Sequence, residues 1–234
     1  MVALRSRVRL NKASTGQHSF RQYFLTIAVG AVLVTCCYFW IDRPLAFWIH
    51  TRQGHFVGRD ELNPLAGIPN PLVLVSVLTF FLLGFLQLAE RPLNKTERVA
   101  LASSSSVLIG ETIKEILKWV FGRPSPDIWI MRNSSAVGYQ AYQFHWFHGI
   151  APFNSFPSGH MTALTAFIAI LWVQYPRFRV IYAVVCLTAA VGLILFNFHF
   201  LGDVIAGAML GAIVGMLASS SLVGQTELRF SPGG

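Results

Sequence analysis

The chain has 234 residues, 54% of them hydrophobic and only 12% charged, a balance that excludes an ordinary soluble domain. Its formal charge of +8 is distributed in short groups between apolar runs, so it speaks for a membrane rather than a nucleic-acid partner. The three cysteines, Cys36, Cys37 and Cys186, lie inside apolar runs and offer neither a disulfide framework nor metal-ligand spacing.

The first apolar run covers 22–41 and follows Arg5, Arg7, Arg9, Lys12 and Arg21. It is too long for a cleaved leader and ends in bulky aromatics where a cleavage site needs small residues, so it is expected to stay as an anchor. Residues 44–50 read equally as an interfacial helix anchored by Phe47 and Trp48 or as an irregular loop. A second run covers 71–89, and the basic loop "ERPLNKTER" leads to a third, more polar run from 98 to 121. There Glu111, Lys114, Glu115 and Lys118 recur at steps of three and four, which puts all four on one helical face. Ionisable groups in a span face a polar interior, either as ion bridges locking the bundle or with Lys118 directed into an anion site. Further runs cover 160–175, 178–198 and 203–223, the last carrying Gly207, Gly211 and Gly215 at four-residue spacing, a stripe for close helix packing.

The expectation is an all-α fold, a single polytopic bundle of six spans over 22–223. Residues 1–21 form a cytoplasmic basic tail and 224–234 a second cytoplasmic tail. The grouping of Lys and Arg is expected to place both termini inside, and the expected location is a bacterial inner membrane. The segment 122–159 then lies outside. Its stretch "YQAYQFHWFHGIAPFNSF" suggests a lid at headgroup level, with His145 and His148 more naturally interfacial than metal-ligating.

Three pieces meet at the outer face. "FPSGH" ends the outside segment: Pro157 halts the preceding chain, Ser158 suits a helix N-cap, and Gly159 leaves N–H groups open to an oxyanion beside His160. One crossing inward and one outward return the chain to "HFLGD", so His199 and Asp203 reach the same depth as His160. A neutral imidazole can attack phosphorus, a carboxylate can orient it, and a second, protonated imidazole can assist the leaving oxygen. Lys118, Arg123, Ser158 and Gly159 are the candidates to hold phosphate oxygens. No metal or other cofactor is called for, because the sequence offers no carboxylate cluster.

"PSGH" at 157–160 and "HFLGD" at 199–203, with the Lys and Arg-Pro region before them, resemble the type 2 phosphatidic acid phosphatase superfamily. The resemblance implies a catalytic His199, a general acid at His160 and Asp203 as the partner that orients the catalytic histidine. Two motif arginines are out of place. Counting from Lys118 puts Ser125 where the first belongs, with Arg123-Pro124 two residues early, and Gly192-Leu193 stands in place of the Ser-Arg pair. Arg123 is the leading candidate to compensate, and Lys114 and Arg132 are the weaker ones. The expected function is hydrolysis of a lipid-linked phosphate or pyrophosphate at the periplasmic face. Phosphotransfer to another lipid, or a noncatalytic transport role, are the alternatives, and the chain could also form a homo-oligomer.

Overall fold

The computed structural model describes residues 21–53, 69–133, 142–149 and 152–229, and every regular element among them is helical. Most of the expected basic tail, residues 134–141 and 150–151 in and before the expected lid, the end of the C-terminal tail and the side chain of Arg132 lie outside the described residues.

Helix α1 covers 21–36 and passes through a π-helical turn, Cys37–Ile41, straight into α2, Asp42–Gln53. Residues 44–50 are therefore neither a separate interfacial helix nor a loop. Pro44 has no N–H and crowds the carbonyl four residues back, and the wide turn just ahead of it absorbs the misfit without ending the helix. Helix α3 is Pro69–Leu88. Helix α4, Lys95–Phe121, starts at a capping box between Asn94 and Glu97 and ends at Gly122, whose φ of 52° is left-handed. A short α5, Pro126–Asn133, follows. Helix α6 is Gly159–Gln174, α7 Arg179–Leu195 and α8 Leu201–Arg229, the last running past the expected end of its span.

Among the described residues, four helical stretches are long and apolar enough to cross a membrane: Arg21–Arg52, Pro71–Leu88, Pro176–Leu195 and Leu201–Ser220. The protein is an integral membrane protein. Helix α6 is apolar but only 16 residues long, and α4 carries the charged face, so neither meets that criterion by itself. The outward faces of α1, α3 and α7 expose Phe24, Val32, Leu78, Phe85, Ile181 and Leu187, the surface expected of helices solvated by lipid.

The centre is α6, which packs against α3, α4, α7 and α8. It is apolar all round, and Ala163, Ala166 and Ala169 are buried, so neighbours approach its backbone closely. The glycine stripe of α8 provides the tightest of these contacts. A methyl group on Gly207, Gly211 or Gly215 would run into the carbonyls of Ser158, Thr162 and Ala166, one helical turn apart on α6. The Thr165 hydroxyl adds a hydrogen bond across the same seam to the Ala208 carbonyl at 2.9 Å. This seam joins the element bearing His160 to the one bearing Asp203.

Candidate active site

His160 occupies the first turn of α6. The Ser158 hydroxyl accepts the Met161 N–H, and the Ser158 N–H donates to the Asp203 carbonyl at 3.0 Å, which ties the start of α6 to the start of α8. The N–H groups of Gly159 and His160 come too early in the helix to find partners within it. Gly159 is needed for space: a Cβ there would lie 2.8 Å from Cδ and 3.1 Å from Nζ of Lys114. The buried ammonium of Lys114 thus sits over the N-terminus of α6, shared between Glu111 at 2.6 Å and Glu115 at 2.7 Å. Lys118, half-buried one turn further on, lies close enough for its charge to act on both His160 and Asp203.

His199 is presented by the turn between α7 and α8. That turn needs a left-handed residue, and Asn197, with φ of 54°, supplies it while its side chain reaches the Ala46 carbonyl at 3.5 Å. The His160 and His199 rings meet edge to face with centroids 5.9 Å apart. Behind His199 lies Asp203, fully buried, with Oδ2 3.8 Å from Nδ1. Ser155 fills the interval. Its Oγ is 2.8 Å from Asp203 Oδ2 and 3.0 Å from His199 Nδ1. The Phe200 N–H also donates to Oδ2 at 3.1 Å.

The structure places Arg123 behind this face, with no exposed surface. Nη1 donates to Asp203 Oδ1 at 2.6 Å, and Nη2 donates to Asp42 Oδ2 at 2.7 Å and to the Tyr142 hydroxyl at 3.1 Å. Tyr142 in turn donates to the Tyr38 carbonyl at 2.6 Å, and Gly202 N–H holds the other Asp42 oxygen at 3.0 Å. The rings of Phe200, Tyr38, Tyr142 and Phe144 surround the guanidinium at 4.2 to 5.4 Å. Burial works against its charge, but the Asp203 and Asp42 carboxylates outweigh that and hold its pKa above the ordinary value. Burial raises the Tyr142 phenol, so Tyr142 stays protonated and able to donate.

Ser125, half-buried ahead of α5, accepts the Trp129 N–H at its carbonyl. Leu193, at the other expected arginine position, is packed in the apolar core with Met161, Leu164 and Val204. Residues 145–149 run along the C-terminal end of α4, where N–H groups of His145, Phe147 and Gly149 satisfy the carbonyls of Gly122, Val120 and Trp119. His145 packs on Phe153 and His148 bonds the Trp146 carbonyl at 2.8 Å. Among the described residues no cluster of His, Cys, Asp or Glu could hold a metal ion.

Sequence reasoning missed Asp42, Ser155 and Tyr142. Asp42 did leave a signal: a carboxylate ending an apolar run is costly unless it has a partner.

Paired imidazoles from separate helices, one backed by a buried carboxylate, thus meet beside a lysine over a helix N-terminus in a helical membrane protein. The chain belongs to the PAP2 superfamily, whose family model matches residues 99–226. A lipid A 1-phosphatase of Rhizobium etli is 30% identical over 115 residues, covering 49% of this chain and 47% of that protein. A lipid A 1-phosphatase of Rhizobium johnstonii is 31% identical over 114 residues, covering 49% of this chain and 44% of that protein. The chain therefore spans less than half the length of these curated relatives. No solved structure matches it significantly.

Proposed function

We propose that this protein is a membrane-embedded lipid phosphatase that works through a phosphohistidine. The observation that supports it most is the meeting of His160 and His199, 5.9 Å apart, with Asp203 buried behind one ring and Lys114 over the helix start beside the other. A ring nitrogen of His199 attacks phosphorus as the bond to the lipid oxygen breaks, and that oxygen takes a proton from His160. Neutral His160 then takes a proton from water, whose oxygen displaces His199 and releases inorganic phosphate. The Asp203 carboxylate balances the charge on His199 in the intermediate.

The nonbridging oxygens are held by Lys114, Lys118 and the N–H groups of Gly159 and His160. Ser158 fixes the start of α6 rather than gripping phosphate, and Arg123 acts through Asp203. The two relatives are named lipid A 1-phosphatases, which makes a phosphomonoester on a glycolipid headgroup the favoured substrate class.

Six crossings fit this role, with α4 and α6 counted beside the four long apolar stretches. At 16 residues α6 is about 24 Å long, shorter than the roughly 30 Å hydrocarbon layer, so its N-terminal site is recessed below one surface. The grouping of Lys and Arg makes that surface the periplasmic one.

The test is phosphate release by purified protein from a panel of lipid A, phosphatidate, phosphatidylglycerophosphate and a prenyl pyrophosphate. At least one should be hydrolysed, and His199→Ala should abolish release while leaving the protein folded. A new phosphorylated lipid in place of free phosphate would establish transfer instead. No turnover of any member would sink the reading.

A further inference from the structure

We propose that Ser155 is a positioning residue for His199: its hydroxyl stands between the imidazole and Asp203 and sets which ring nitrogen is left bare to react. The argument is a proton count. At 3.8 Å, His199 Nδ1 and Asp203 Oδ2 are too far apart for a direct hydrogen bond, whereas Ser155 Oγ lies 3.0 Å from the first and 2.8 Å from the second. Asp203 is kept ionised by the Arg123 guanidinium on Oδ1 and the Phe200 N–H on Oδ2, and an ionised carboxylate can only accept. The single Ser155 proton therefore goes to Asp203. Were it turned to Nδ1, two oxygen lone pairs would face each other at 2.8 Å.

With its proton committed, Oγ can only accept from the ring, so Nδ1 carries hydrogen and Nε2 does not. Nε2 is then the nucleophilic nitrogen. Ser155 is well placed to impose this: it is 3% exposed, and its own N–H is fixed to the Arg123 carbonyl at 2.8 Å. As Nε2 bonds to phosphorus the ring becomes positive, and the chain from Nδ1–H through the hydroxyl to the carboxylate carries that charge with no proton lost.

The kinetic arm of the test rests on the phosphatase reading; the spectroscopic arm does not. In full-length protein labelled with 15N-histidine, the His199 signals are identified by their loss in His199→Gln. They should show a protonated Nδ1 and an unprotonated Nε2. Ser155→Ala should blur that preference into a mixture and lower kcat by about tenfold to hundredfold at little changed KM, the usual scale for losing an outer orienting partner. Ser155→Thr, which keeps the hydroxyl, should restore the tautomer and most of kcat. A wild-type His199 protonated on Nε2 overturns the proposal whatever the variants do, and so does a Ser155→Ala protein with unchanged tautomer and kcat. Absence of phosphate release by the wild type would instead count against the phosphatase reading and leave the tautomer measurement decisive.

Discussion

Replacing Arg123 by methionine separates a guanidinium that grips substrate from one that holds the site together. Arg123 is fully buried between Asp203 and Asp42, with contacts of 2.6 and 2.7 Å, so its removal leaves two carboxylates facing each other without a cation. Each keeps some donors, Ser155 and Phe200 N–H for Asp203 and Gly202 N–H for Asp42, which limits the loss. Breaking a buried ion pair by removing one partner costs about 3–5 kcal/mol. For a chain of this size that lowers the melting temperature by about 6–20 °C. The assay is thermal unfolding of purified protein at one fixed scan rate, since membrane proteins in detergent unfold irreversibly, alongside phosphate-release kinetics. We expect Arg123→Met to show the full thermal loss and a reduced kcat with KM nearly unchanged. Arg123→Lys should fall between, because one ammonium cannot span both carboxylates as the planar fork does. A variant that melts within about 2 °C of wild type while KM rises a hundredfold would refute the reasoning and return Arg123 to the phosphate.

Lys114→Met should lower kcat/KM about a hundredfold, as for loss of one oxyanion donor worth about 3 kcal/mol, and should also lower the melting temperature, because the partly buried Glu111 loses its cation. Glu115→Gln should raise kcat/KM, because it releases Lys114 from one of its two carboxylates. Glu115 is 66% exposed at its side chain, so the pair is worth at most about 1 kcal/mol and the gain should stay under about fivefold. Gly207→Ala and Gly215→Ala should each destabilise by about 1–3 kcal/mol through overpacking against α6. Only Gly207→Ala should also lower kcat, because its methyl group would press on Ser158 beside His160. Equal kcat losses in both variants would show that the seam does not position the site.

The fold was legible wherever one helix alone carries the signal. The apolar runs at 71–89 and 178–198 became α3 and α7, and the glycine spacing in the last run proved to be a packing seam. His160 and His199 meet because the hairpin of α6 and α7 returns the chain to the end where it started, which chain counting can foresee. What counting cannot supply is the direction of a side chain. Arg123 follows a helix C-cap and has many outward rotamers. Only the folded chain surrounds it with four rings and two carboxylates from distant segments. Ser155 was hidden for the same reason: its partners are 44 and 48 residues away. Residues 44–50 read equally as an interfacial helix or a loop, and what the sequence left unread is that they continue the first helix through a π-helical turn.

The contact between Asp42 and Arg123 bears on where this protein can be cut. The stretch shared with the superfamily, 99–226, contains both histidines, Asp203 and Arg123, yet Asp42 and the Tyr38 carbonyl come from the first membrane helix, well upstream of it. A fragment trimmed to the shared stretch would keep every group assigned to the chemistry and still lack the anchor for its buried cation. The matched stretch therefore stops short of the anchor for Arg123, and the amino-terminal helix belongs to the framework of the site rather than serving only as a tether.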